Sequence, residues 1–201
     1  MKALIIVDIQ NDFLPNGSLA VPNGDLVIPI INKLQDKFDL IIATQDWHPN
    51  NHLSFASNHK NKNPFEVVDL YGLKQVLWPN HCIQGTEGAN FSPELNTNLI
   101  AAIFRKGMDK TVDSYSGFFD NGRKTNTGLS GYLKDKGVDE VYICGLAADY
   151  CVYYTAKDAK HEGFETYYIV DATKAISEET FTKAVEDLKI NGVHIVKSAY
   201  I

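Results

Sequence analysis

An α/β fold built around a parallel sheet is predicted by three features of the sequence. Six short runs rich in β-branched and aliphatic residues recur along the 201 residues, each nearly continuous in hydrophobicity, as strands covered on both faces are. Helical patterns fall between most of these runs. Ionisable residues collect just past the ends of the first four, the edge where open parallel sheets bind ligands.

The first strand is ALIIV (3–7). A helix is expected over DLVIPIINKLQDKF (25–38), with Pro29 making it begin later or kink, since proline lacks the N–H and clashes inside a helix. The second strand is LIIAT (40–44). From 46 to about 94 the periodicity fades and Asn, His, Pro and Gly crowd in, which predicts a long functional loop region. Its two tryptophans and its histidines (His48, His52, His59, His81) argue against disorder. AAIFR (101–105) is the third strand, followed by a helix over TGLSGYLKDKG (127–137). VYICG (141–145) is the fourth, and the helix over ADYCVYYTAKDAKHEG (148–163) begins close to Cys151. TYYIV (166–170) is the fifth strand. The last helix, SEETFTKAVEDLKING (177–192), has Ser177 and Thr180 as start signals and Asn191-Gly192 as a stop, and VHIV (193–196) is the sixth strand.

With 44% hydrophobic, 22% charged and 11% aromatic residues, the chain reads as one globular domain over 1–201, without repeats or linkers. The formal charge of −6 and the absence of a Lys/Arg stripe exclude nucleic acid and anionic membranes as partners. The start MKALIIVDIQ has too short an apolar run for a signal peptide, and no run reaches the ~20 residues of a membrane span, so a cytoplasmic location is expected. Three cysteines without C-x-x-C spacing argue against both a disulfide framework and a thiolate zinc site.

Asp8 follows the first strand, Asp46 the second, Lys106 the third and Cys151 the fourth. Any one of them alone reads as a helix cap, a turn residue or a buried thiol, but four such ends should face one crevice. Together Asp8, Lys106 and Cys151 have the parts of a nucleophilic site. Asp8 can take the thiol proton, Lys106 and the start of the following helix favour a thiolate, and N–H groups of the turn LAADYC can form an oxyanion hole. Acyl transfer is the reaction this predicts. A second cluster, Asp46-x-His48 with His81 and His52, suits a divalent metal such as zinc, manganese or iron(II). His59, His161 and His194 have no such companions and read as structural or exposed.

The segments VDIQNDF (7–13), TQDWHPNNHLSFAS (44–57), WPNHCIQGT (78–86), FRKG (104–107), DSYSGFFDN (113–121) and CGLAADYCV (144–152) together closely resemble the nicotinamidase/pyrazinamidase branch of the isochorismatase-like cysteine hydrolases. The resemblance spans nearly the whole chain. It implies a three-layer α/β/α fold with a six-stranded, mainly parallel, doubly wound sheet, and hydrolysis of nicotinamide (and pyrazinamide) to nicotinate and ammonia in NAD salvage. By position it makes Cys151 the nucleophile, Asp8 the base and later acid, and Lys106 the cation that orients the pair. It places a metal ion, zinc ahead of iron or manganese, on Asp46, His48 and His81, where it holds the pyridine nitrogen of the substrate. His52 and Ser54 both stand where relatives differ in the remaining ligand. Phe13, Trp78 and Tyr115 match the ring-binding aromatics, the bond before Ala147 a cis peptide, and the N–H groups of Ala147 and Cys151 the oxyanion donors. Cys82 and Cys144 match structural positions. A homo-oligomer is compatible with this reading. Two rivals remain: a metal-free cysteine amidase acting on a carbamoyl or ureido compound, disfavoured by the metal cluster and Trp78, and a non-catalytic metal or thiol sensor, which would release no ammonia from nicotinamide.

Overall fold

A computed structural model describes residues 1–201. In chain order the strands are β1 (Lys2–Val7), β2 (Leu40–Asp46), β3 (Val67–Leu70), β4 (Leu73–Val76), β5 (Ile100–Lys106), β6 (Glu140–Leu146), β7 (Glu165–Lys174) and β8 (His194–Val196). The helices are α1 (Ile28–Leu34), α2 (Leu129–Asp135), α3 (Cys151–His161) and α4 (Glu178–Ile190). Six strands form one parallel sheet in the order β5-β2-β1-β6-β7-β8. Without the β3–β4 hairpin this order reads 3-2-1-4-5-6, a doubly wound arrangement whose direction reverses between β1 and β6.

The alternation of side chains along β1 sorts the core into two layers. Leu4 and Ile6 pack with Ile28, Ile31 and Leu34 of α1 and with loop residues that include Trp78, Ala89 and Leu95. Ala3, Ile5 and Val7 pack with Leu133 of α2, Val152 and Ala156 of α3 and Leu188 of α4. One face of the sheet is thus covered by three helices, and the other by one short helix and the long loop region. All the β1 residues from Ala3 to Val7 are fully buried, which accounts for their unbroken apolar run.

Three local expectations need correction. The helix expected over 25–38 is α1 alone, flanked by 3-10 turns at Gly24–Val27 and Gln35–Lys37, because Pro29 fits only the first turn of the α-helix. The region 46–94 is not wholly loop: VVDL and LKQV pair as the β3–β4 hairpin. Its turn residues Tyr71 and Gly72 have φ of 53° and 86°, the left-handed pair that a two-residue turn between twisted strands requires. Ser177 occupies the cap position of α4 but makes no capping bond through its own side chain. The Asp149 carboxylate instead holds the residues that lead into the helix, accepting from the N–H groups of Ile176 (3.0 Å) and Ser177 (3.1 Å) and from the Thr180 hydroxyl. The start of α4 is thereby tied to the turn that carries Cys151. No helix is long and apolar enough to cross a membrane.

Gly145 of β6 sits opposite Val7 at the switch point with φ of 117°, and a Cβ there would lie 2.1 Å from the Val7 carbonyl oxygen. Gly145→Ala is expected to cost roughly 3 kcal/mol and to lower Tm by roughly 6–12 °C in thermal melts.

Candidate active site at the sheet switch point

Parallel strands that end together bring the charged residues together. Asp46 and Lys106 are register partners on β2 and β5, and Asp8 follows β1 directly with φ of 49°. The Lys106 ammonium is buried and lies 2.5 Å from Asp46 Oδ1, 2.8 Å from Asp8 Oδ2, 3.0 Å from the Ser114 carbonyl oxygen and 3.4 Å from Cys151 Sγ. Burial opposes the charge on Lys106, but the two carboxylates outweigh it and hold its pKa well above the ordinary value. Burial would likewise raise Asp46, yet Lys106 and His48 hold it well below the carboxylate range. For Asp8 burial wins over Lys106, and the carboxyl is raised.

Asp8 is oriented by Thr44, whose hydroxyl donates to Oδ1 at 2.6 Å. Oδ2 faces Lys106 as an ion contact without directed hydrogen-bond geometry, which leaves it an open acceptor. Carboxylate oxygens of Asp8 and Asp46 and the sulfur of Cys151 all lie within 4.8 Å of one another.

Cys151 is the first residue of α3 and lines a largely apolar pocket. It keeps 7% exposure, whereas the free cysteines Cys82 and Cys144 have none. Burial pushes its thiol well up, and the proximity of Asp8 and Asp46 adds to this against the pull of Lys106. Desolvation and the two carboxylates thus oppose ionisation of the thiol and the Lys106 ammonium favours it, which keeps a role for a proton acceptor beside it. The Leu146–Ala147 peptide bond is cis, as the resemblance implies. Ala147 and Cys151 are buried residues, and neither backbone N–H donates a hydrogen bond within the chain. The Cys151 N–H is one of the unpartnered donors of a helix start, and the Ala147 N–H precedes it in the turn that leads to the thiol.

The second cluster converges on the same pocket. Ligand atoms of Asp46, His48 and His81 lie within 4.8 Å of one another, as do those of His48, His52 and Asp113. His48 Nδ1 bonds the Gly107 carbonyl at 2.9 Å and His81 Nδ1 that of Pro79 at 2.8 Å, so each Nε2 is the free nitrogen. These face Asp46 Oδ2 at 3.4 and 3.8 Å. The Nε2 atoms of His48 and His52 are buried without any partner, which suits them as ligands of a cation. Burial holds His52 neutral, its pKa pushed down to about 4, and its Nδ1 lies 2.7 Å from Ser54 Oγ. This donor set fits a divalent metal ion.

Phe13, Trp78 and Tyr115 line the pocket together with Ala147 and His81. Four further lining residues escaped the sequence reading: Leu19, Asp113, Tyr150 and Ile176. Asp113 and Tyr150 stand inside the segments DSYSGFFDN and CGLAADYCV, so their neighbourhood was visible although their direction was not. Gln10, from VDIQNDF, was also missed; its side chain brackets the Asp46 backbone with two 2.8 Å bonds.

A doubly wound sheet with a thiol, a carboxylate, an ammonium and two unpaired N–H groups at its switch point defines a hydrolase of the α/β class. The chain belongs to the isochorismatase family, whose domain matches residues 2–199. It is 49% identical over 200 residues to the nicotinamidase of Acinetobacter baylyi, an alignment covering 99% of this chain and 94% of that protein. Its structure resembles an Acinetobacter baumanii nicotinamidase/pyrazinamidase with a TM-score of 0.97 at 48% identity, covering 99% and 97% of the two chains. It also resembles a pyrazinamidase of Pyrococcus horikoshii solved in complex with zinc, with a TM-score of 0.80 at 41% identity over 98% of each chain.

Gly107 leaves the space that His48 occupies: with φ of 65°, a Cβ on it would lie 2.3 Å from the imidazole. Gly107→Ala is expected to weaken metal retention by about 10–100-fold while the far-UV spectrum stays native, as metal titration and bound-metal analysis would show.

Proposed function

We propose that this protein is a nicotinamidase, hydrolysing nicotinamide, and pyrazinamide by the same route, to the free acid and ammonia, and that it serves NAD salvage. The observation that carries this reading is the pair of unpaired N–H groups of Ala147 and Cys151 with the Asp8 carboxylate within 4.8 Å of the Cys151 thiol. The three free thiols fit a reducing, cytoplasmic setting.

Desolvation opposes ionisation of the Cys151 thiol, which supports Asp8 as the acceptor of its proton in the first step. As Cys151 Sγ attacks the carboxamide carbon, its proton passes to Asp8, and Lys106 stabilises the sulfur and the carboxylate through their ion contacts. The carbonyl oxygen becomes an oxyanion that accepts from the N–H groups of Ala147 and Cys151, each worth about 3 kcal/mol. Asp8 returns the proton to the departing nitrogen; the C–N bond breaks, ammonia leaves and a thioester remains. Water then attacks the thioester carbon, Asp8 takes its proton, and collapse of the second oxyanion releases the acid and the thiol. Phe13, Trp78 and Tyr115 hold the ring so that the carbon lies over Sγ. Asp46, His48 and His81 would hold a divalent ion, zinc ahead of iron or manganese, with the neighbouring His52 and Ser54 as candidates for the remaining donor. When bound, that ion would supply a Lewis-acid site for the ring nitrogen. A carbamoyl or ureido substrate has no such nitrogen, so the buried imidazole nitrogens favour the pyridine amide.

Cys151→Ala is expected to lower ammonia release from nicotinamide by ~10⁴-fold or more and Asp8→Asn by ~10²–10⁴-fold, with nicotinamide binding kept in the Cys151 variant. Turnover above background in Cys151→Ala would rule out the thioester route. Chelation of the metal should suppress hydrolysis yet leave Cys151 alkylated ahead of Cys82 and Cys144 in peptide mapping, because it alone opens to solvent. Equal labelling of all three would show that the thiol pocket depends on the metal.

A further inference from the structure

Gln75 is a buried amide, 4% exposed, on a hairpin strand whose other residues are half-buried or exposed. Its Nε2 lies 2.7 Å from the Val76 carbonyl oxygen, 3.1 Å from Asp113 Oδ2 and 3.2 Å from the Tyr115 hydroxyl. The same hydroxyl accepts from Trp78 Nε1 at 3.2 Å. Asp113 is itself fixed, since Oδ1 accepts the Ser114 N–H at 2.8 Å. Gln75 is thus the link between a buried carboxylate and the two aromatic side chains that wall the pocket. Packing alone does not call for an amide here, because an apolar side chain of that size fills the same space without a desolvation cost. An amide is needed if Tyr115 and Trp78 must be held at a set orientation. Trp78 Nε1 donates to the Tyr115 oxygen, and Gln75 Nε2 shares its two hydrogens among that oxygen, the Val76 carbonyl and Asp113 Oδ2. Tyr115 lines the pocket, where a bound ring brings acceptors of its own.

We propose that Gln75, anchored by Asp113, is a positioning residue that fixes Tyr115 and Trp78 against the heteroaromatic ring of the substrate. This rests on the reading of the pocket as an amide site. Gln75 touches neither the scissile carbon nor the thiol, so its loss acts on ring binding in ground state and transition state alike: KM changes and kcat does not.

The test measures ammonia release from nicotinamide by the metal-loaded protein in four forms: wild type, Gln75→Leu, Tyr115→Phe and the double variant. Gln75→Leu is expected to raise KM about tenfold with kcat within about twofold of wild type. In the Tyr115→Phe background the same change should have little further effect, because the group it holds is gone. Should the leucine variant not fold, Gln75→Glu keeps the shape, removes the donors and should give the same rise in KM. An unchanged KM in a folded Gln75 variant, or effects that simply multiply in the double variant, would overturn the inference while leaving the amidase reading intact. Wild type is assayed first, and no turnover of nicotinamide there would sink the amidase reading and the inference with it.

Discussion

The Lys106 ammonium is the charge on which the rest of the site depends. It is buried with two carboxylates, and removing three ions from water costs several kcal/mol each unless they compensate one another. Neither Asp8 nor Asp46 could stay ionised so near the other without it, and Lys106 could not stay protonated without them. The three come from the ends of β1, β2 and β5, so the register of the sheet and the ionisation of the site are one constraint. The same ammonium joins the two halves of the chemistry: Asp8 and Cys151 lie on one side, and Asp46, which faces the imidazoles, on the other.

Much of this was legible in the sequence because parallel strands advertise themselves. ALIIV and VYICG are continuous apolar runs since both faces are covered, and the polar residue after each run must emerge at one edge of the sheet. Asp8, Asp46, Lys106 and Cys151 could thus be placed at a common edge before any coordinates, and the D-x-H spacing with His81 likewise pointed to a shared ion. The histidine and aromatic roles came from resemblance of whole segments, since loop residues have no period from which to read direction.

What escaped the sequence depends on through-space context. The β3–β4 hairpin was hidden because its strands are short and set in a run rich in Asn and Lys, although Tyr71-Gly72 between two apolar stretches marks its turn. Ser177 looked like the cap of α4, but Asp149 reaches that helix start from another segment. The extent to which burial and two carboxylates oppose ionisation of Cys151 was likewise invisible, because it depends on groups from three strands meeting in space.

The unequal covering of the sheet separates two kinds of change. Asp8, Lys106 and Cys151 stand at the ends of regular elements, whereas the imidazoles and most of the ring wall ride on the layer of loops over the opposite face. Loops tolerate replacement far better than buried strands do. Bond-breaking machinery and recognition surface are therefore separable inheritances: a lineage, or an engineer, can exchange the loop layer to suit another acyl group while the strand ends go on cleaving the same kind of bond.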